Sequence, residues 1–489
     1  MTKNQRPFNK VSRRTFMAGA AAAGLGHALT QTAGRAVETA DKRTHPNVVF
    51  VFGDQWRGQA VGYAGDSNVR TPNIDALATE SVRFTNAVCG QPVCTPYRAC
   101  LLTGQYPLTH GVFMNDVCLN PEATTLAKVF GAAGYDTAYI GKWHLDGHGR
   151  SRYIPPERQQ GFDYWRALEC THDYNNSRYY TGDDPTPRYW DGYDAIAQTR
   201  DAQQYIRDRN ADSPFLLVLS WGPPHDPYHT APEKYRDMFS PEALTLRDNV
   251  PDDYSEEARK MLAGYYAHCA ALDDCMGDLL ETLDEQGIAD DTVFVFTSDH
   301  GDLLGSHGAR NKQQPYAESI MAPCLLRYPA ALGRAGRAFP TLFNTPDIMP
   351  TLLGLADVPI PDTVEGTDFS EALRAGASPE VDSAFILCPA PFGQWSRDRG
   401  GREYRGVYTG RYTYTRGLDG PWQLFDNDAD PYQMNNLVKN RDYVETQARL
   451  DAMVDDWLER TNDPFKPAAE HIAEWGYEVD ASGTVPYTP

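Results

Sequence analysis

The 489-residue chain is 41% hydrophobic and 11% aromatic, enough apolar material to fill a core and to exclude intrinsic disorder. Its formal net charge of -21 excludes a general nucleic-acid binder, whose affinity rests on Lys and Arg against phosphate. No run of about 18 apolar residues occurs, so no transmembrane helix is expected.

Residues 1–40 read as an export segment and linker. Lys3, Arg6, Lys10, Arg13 and Arg14 precede Phe16-Met17 and the small-residue run Ala18 to Leu29. That h-region is too short and too poor in bulky side chains to span a bilayer. Ser12-Arg13-Arg14-Thr15-Phe16-Met17 matches the twin-arginine pattern, which predicts passage through that machinery to the periplasm or beyond. An oxidising compartment permits disulfides. The nine cysteines, however, show no CxxC or zinc-type spacing, and their odd number leaves at least one thiol over. Cys94 is the candidate for it.

A main domain is expected over 41–375. Val48–Phe52 is a continuous β-branched and aromatic run, as in a strand buried on both faces. Thr71-Pro72 opens a helix, with Ile74, Leu77 and Ala78 on one face. Strand-like runs recur at Thr137–Ile140, Phe215–Ser220 and Thr292–Thr297, with helical patterns at Leu126–Ala133 and Ser255–Glu285 between them. This alternation predicts an α/β fold around a mainly parallel sheet. In such sheets, polar residues just past the carboxyl ends of strands are ligand positions. Asp54, Lys142, His225 and Asp299 all stand there.

Over 376–489 the texture changes to short strands at Ala384–Cys388, Tyr404–Tyr408, Arg411–Thr415 and Trp422–Phe425, joined by turns such as Thr409-Gly410. Arg441–Thr461 follows as an amphipathic helix, with Val444, Ala448, Met453, Val454 and Trp457 near one face. A small antiparallel sheet with a terminal helix is expected.

The chemistry concentrates at Cys94-Thr95-Pro96-Tyr97-Arg98, followed by Ala99-Cys100-Leu101-Leu102-Thr103-Gly104. Pro96 fits a first helical turn, which places Cys94 at a helix N-terminus, where backbone N–H groups favour anions. With its Leu-Leu-Thr-Gly tail the segment resembles the type I sulfatase signature of the alkaline-phosphatase superfamily. Further blocks of that family recur in order: Asp54-Gln55; Gly134 to Leu145, with Gly141-Lys142-Trp143-His144; Pro224-His225-Asp226-Pro227; Ser298-Asp299-His300-Gly301-Asp302, then Gly305 to Gly308 and Lys312. The Asp347–Leu353, Leu424–Asp426 and Asn435–Leu437 segments extend the likeness to about residue 440.

The resemblance implies that Cys94 is oxidised by a maturation enzyme to formylglycine, whose hydrate supplies a nucleophilic oxygen. It implies one divalent cation held by Asp54, Gln55, Asp299, His300 and the modified Cys94. Arg98 would stabilise the hydrate, and Lys142 and Lys312 would cover sulfate oxygens. His144 would take a proton from the hydrate, and His225 would act as general acid beside the leaving oxygen. Many sulfatases carry a second Asp in place of Gln55 and an Asn in place of His300. An oxygen-rich site favours Ca2+, and the imidazole moves the preference towards Mn2+ or another divalent ion; Ca2+ is the first expectation.

The expected function is therefore exported hydrolysis of a carbohydrate sulfate ester. The alternatives are phosphonate monoester or phosphodiester hydrolysis on the same fold, and an inactive glycan-binding homologue. His172, His307, Trp395 and Arg397, in or near aromatic and polar loops, are candidates for sugar contact, with His307 either structural or substrate-facing and Trp395 either a stacking surface or a packed residue at the domain junction. No nucleic-acid partner and no stable membrane insertion are expected.

Overall fold

The Val48–Phe52 run forms the centre of β1 (Asn47–Asp54), buried at every position. Its alternating side chains feed two cores: Val48, Phe50 and Phe52 enter one apolar cluster, and Val49 and Val51 the other. The neighbours behave alike, with Leu216 and Val218 on the first side and Leu217 and Leu219 on the second. A sheet apolar on both faces must be covered on both, which is the α/β solution. The computed structural model of the protein describes residues 45–487, so the export segment read at 1–40 lies outside the described residues.

The remaining strands of the main sheet are β2 (Val82–Phe84), β3 (Asp136–Lys142), β4 (Tyr164–Leu168), β5 (Arg178–Thr181) and β6 (Asp184–Tyr189). β7 (Phe215–Pro224), β8 (Thr292–Ser298), β9 (Leu325–Arg327) and β10 (Arg337–Phe339) complete it. Their order is β10-β2-β9-β8-β1-β7-β3-β4-β5-β6. The five central strands, β8 to β4, are mutually parallel, while β9, β5 and β6 pair antiparallel. The short strands β2, β9 and β10, and the polar pair β5 and β6, carry too little apolar periodicity to be legible in the sequence.

Five helices are used below: α1 (Pro72–Thr79), α2 (Cys94–Thr103), α3 (Leu126–Ala132), α4 (Asp194–Asp208) and α5 (Ser255–Glu285). The long α5 fastens the turn after β1, because Tyr265 Oη donates to the Gln55 carbonyl at 2.9 Å and accepts the Arg57 N–H at 2.9 Å. Gly141, at φ 108°, is required where β3 crowds β7, since a Cβ there would collide with the Ser220 carbonyl.

A second sheet of β11 (Ala384–Cys388), β12 (Tyr404–Tyr408), β13 (Tyr412–Gly417) and β14 (Gly420–Asp426) is an antiparallel meander, followed by α6 (Val444–Arg460). The buried stripe of α6 is Leu450, Val454 and Trp457. This corrects the face read from sequence: Val444 is 62% exposed and Ala448 also faces solvent. The stripe that meets the sheet begins nearly two turns into the helix. All nine cysteines are free thiols.

One fold-level prediction concerns Asp194, the first residue of α4. Burial pushes its carboxyl up to about 8. Raised above its unfolded value of about 3.9, it contributes stability that is complete below about pH 4 and lost as pH rises through about 8. Asp194→Asn is expected to flatten that decline, giving a protein more stable than the parent at about pH 9. Chemical denaturation across pH reads it, and parallel curves for the two proteins would contradict it.

Candidate active site

Four adjacent parallel strands deliver the polar residues. Asp299 follows β8, Asp54 ends β1, His225 follows β7 and Lys142 ends β3. Parallel neighbours bring their carboxyl ends to one edge, so residues far apart in sequence meet there. α2 packs Tyr97, Leu101 and Leu102 into the first core and presents Cys94, its first residue, at the same edge.

Cys94 Sγ is the point on which the cluster converges. It lies 3.5 Å from Asp54 Oδ1, 3.2 Å from His300 Nε2 and 3.2 Å from Lys312 Nζ. Burial and the Asp54 charge push this thiol up to about 12, so at neutral pH it stays protonated and is a poor nucleophile as it stands. Arg98, one turn along α2, is 1% exposed. Its Nη2 donates to Asp54 Oδ2 at 3.1 Å and Asp299 Oδ2 at 3.4 Å, and its Nη1 to the Lys142 carbonyl and Ser220 Oγ, both at 2.7 Å. Burial works against its charge, but Tyr139 and the two carboxylates outweigh it and raise the guanidinium pKa.

Lys142 Nζ donates to Asp54 Oδ2 at 2.7 Å. Burial opposes ionisation of Asp54, yet the surrounding cations, Lys142 foremost, hold it well below the usual carboxylate range. Asp299 moves the other way, raised first by burial and then by the Asp54 charge. The two buried carboxylates repel each other, and a further cation between them would be favoured for that reason.

The donor set fits a divalent ion. Ligand atoms of Asp54, Cys94, Asp299 and His300 all lie within 4.8 Å of one another, and all four residues are buried. His300 Nδ1 meets the Gly301 carbonyl at 2.9 Å, and a carbonyl only accepts. The ring proton therefore sits on Nδ1, and Nε2 is bare towards Cys94 and the carboxylates, the tautomer a metal ligand requires. Gln55, at φ 68°, donates its backbone N–H to Asp299 Oδ1 at 2.8 Å, while its side chain bridges Asp302 and Lys312 at 2.6 Å each. His144 is the second non-glycine residue of the site in the left-handed region, at φ 56°. Each such residue costs about 1–2 kcal/mol, strain that the packing around a functional site must offset.

Lys312 Nζ also reaches His225 Nε2 at 2.9 Å, and His225 Nδ1 meets the Asp226 carbonyl at 2.8 Å. An ammonium only donates, so His225 is neutral with its proton on Nδ1; burial and Lys312 both lower its pKa. His172, exposed, stacks on His225 at 4.8 Å between ring centroids.

Three expected sugar contacts are engaged with other residues. His307 stacks on Tyr316 at 3.7 Å and bonds Asn249. Trp395 is 6% exposed between Tyr404 and Trp422, which is the packed one of its two readings. Arg397 pairs with Glu403. Sequence reasoning missed Ser220, Tyr139 and Asp302, which hold Arg98 and Gln55 in place. Asp302 stands in the recognised 298–302 block, and only that proximity flagged it.

Residues 46–358 match the Sulfatase family, and residues 305–460 match the C-terminal region of N-sulphoglucosamine sulphohydrolase. The chain belongs to the sulfatase family. It is a sulfuric ester hydrolase. It is 47% identical over 450 residues to an ulvan-active sulfatase of Formosa agariphila, covering 91% of this chain and 87% of that one. It is 30% identical over 512 residues to an endo-4-O-sulfatase of Bacteroides thetaiotaomicron, covering 92% and 97%. A solved structure from work on glycosaminoglycan metabolism in Bacteroides thetaiotaomicron superposes with a TM-score of 0.78 at 29% identity, over 88% of this chain and 99% of that one. The sulfatase fold, with its mostly parallel sheet and small antiparallel C-terminal sheet, is the one expected from the sequence.

Proposed function

We propose that this sulfatase is exported by the twin-arginine route and hydrolyses sulfate esters of carbohydrates, with fragments of ulvan-type polysaccharide as its first substrates. The observation that carries the chemistry is the convergence of Asp54, His300 and Lys312 on Cys94 Sγ. The 47% identity to an ulvan-active sulfatase supports the substrate class.

With residue 94 converted to formylglycine, Sγ stands where a hydroxyl oxygen of the aldehyde hydrate would be. Arg98 and Lys142 hold that oxygen's surroundings positive, and Lys142 and Lys312 cover sulfate oxygens that a buried site strips of water. A divalent cation held by Asp54, Gln55, Asp299 and His300 supplies, when bound, further charge against the sulfate and favours the ionised hydroxyl. As the hydroxyl oxygen attacks sulfur, the sulfur–oxygen bond to the sugar breaks and the departing oxygen takes a proton. That proton lies on Lys312, hydrogen-bonded to a neutral His225, so the two act as one acid in place of His225 alone. His144 then removes the proton of the second hydroxyl, the carbon–oxygen bond to sulfate breaks, and the aldehyde re-forms.

Sulfate release from ulvan oligosaccharides, run beside phosphonate monoester and phosphodiester substrates, tests this reading. Sulfate-ester turnover is expected to dominate, and faster phosphodiester turnover would overturn it. Stripping the protein with a chelator is expected to abolish turnover, and Ca2+ or Mn2+ to restore it. Full activity after stripping would remove the cation from the account.

A further inference from the structure

His144 is 2% exposed, and its Nε2 lies 3.3 Å from Asp116 Oδ1. Asp116, on the loop between α2 and α3, is itself 4% exposed and is gripped from its other side by Arg150. Arg150 Nε donates to Oδ1 and Nη2 to Oδ2, both at 2.8 Å, the two-pronged geometry of a strong guanidinium–carboxylate pair. Burial opposes ionisation of Asp116, but Arg150 and His144 hold its carboxyl well below the usual range. An ionised carboxylate only accepts hydrogen bonds. The proton between the two residues therefore belongs to His144 Nε2.

The rest follows from the imidazole's own chemistry. Burial keeps the ring neutral, against the pull of Cys170 and Asp116 and with the help of Lys142. A neutral ring carrying its proton on Nε2 has a bare Nδ1. Nδ1 is buried and has no hydrogen-bond partner among the described residues. A buried acceptor left empty costs about 1–3 kcal/mol, so a ligand's proton is its natural complement.

The backbone holds this ring in place as firmly as its partner does. The His144 N–H donates to the Glu169 carbonyl at 2.8 Å. The next three N–H groups, of Leu145, Asp146 and Gly147, donate to the Glu169 carboxyl at 3.1, 2.9 and 2.8 Å. The far face of Arg150 is covered by the Tyr487 ring, with the guanidinium carbon 3.5 Å from its centroid. Tyr487 comes from the C-terminal tail. That tail is fastened by Tyr477 Oη on the Gly111 carbonyl at 2.8 Å and by the Ser482 carbonyl on the Gly393 N–H at 3.3 Å.

We propose that Asp116, pinned by Arg150 beneath Tyr487, is a positioning residue that fixes His144 in the Nε2-protonated form and so presents Nδ1 as the proton acceptor of turnover. The C-terminal tail then helps to position His144, although it lies far from that residue in sequence. The proton taken by Nδ1 makes an imidazolium whose charge Asp116 balances, and it leaves to water before the next cycle. The reaction assigned to His144 rests on the sulfatase reading above; its tautomer does not.

Two-bond proton–nitrogen spectra of the full chain labelled at histidine, with His144 assigned by loss of its signals in His144→Gln, measure the tautomer directly. The Nε2-protonated pattern is expected in the parent, and a mixture or the Nδ1-protonated pattern in Asp116→Asn. The same variant is expected to lower kcat about 100-fold with KM within about twofold, and to move the acid limb of the kcat profile to lower pH as the imidazolium loses its counterion. Tyr487→Ala is expected to give the same changes in smaller measure, about threefold in kcat. An Nδ1-protonated His144 in the parent, or an Asp116→Asn protein with unmoved kcat and acid limb, would overturn the proposal. Absence of any sulfate-ester turnover in the parent would strike the functional reading instead and leave the tautomer to decide this one.

Discussion

Cys94→Ala is expected to lower sulfate release by about 10^4-fold or more while the fold persists, with stability within about 1 kcal/mol of the parent. Three polar groups of the site converge on that one atom: Asp54 at 3.5 Å, His300 and Lys312 at 3.2 Å. The alanine retains the helix start and the packing of α2, so nothing that shapes the site is lost except the reacting atom. The residual rate would be what a charged, dehydrated pocket gives to a sulfate ester without a covalent nucleophile. Steady-state sulfate release with a matched melting curve measures both halves. A variant retaining a large fraction of the parental rate would move the nucleophile elsewhere.

Arg98→Leu is expected to cost about 3–5 kcal/mol of stability and all detectable turnover. Removing the guanidinium leaves the Asp299 carboxyl without its cationic partner, takes one of two from Asp54, and takes a donor from Ser220 Oγ and from the Lys142 carbonyl, which keeps only Tyr139. Breaking a buried pair from one side is far more costly than never having built it, because the charge left behind cannot reach water. The stability loss should shrink when a divalent cation saturates the site, since the cation offsets the same two carboxylates. Urea denaturation with and without Ca2+ reads both effects, and an unchanged midpoint would mean that Arg98 is not the countercharge the geometry makes it.

Much of the fold and of the site is legible in the amino-acid sequence. The β1, β7 and β8 runs read as doubly buried strands because both of their faces meet a core, and the polar residues that end them stand out against that background. Cys94 to Gly104 and the 134–145 segment are readable as blocks because each supplies local contacts, a helix start in one case and a strand end in the other. Asp116, Arg150 and Tyr487 are not readable. They come from two loops and a terminal tail, carry no periodicity, and acquire meaning only through pairings across 34 residues in one case and hundreds in the other. Trp395 can be read either way from the sequence. An aromatic beside Ser and Arg fits an exposed loop as well as a packed one, and β12 and β14 supply Tyr404 and Trp422 to cover it. The proton inventory is equally invisible: that Lys312 donates to His225 depends on a 2.9 Å contact between residues 87 positions apart.

The account stands most directly on the chemical state of residue 94, and mass spectrometry of the peptide spanning Cys94 to Arg98, from protein matured in its source organism, reads that state. Formylglycine, seen as an aldehyde that a hydrazide reagent captures, is the predicted result, with its fraction tracking specific activity across preparations. An unmodified thiol at that position in fully active protein would contradict it.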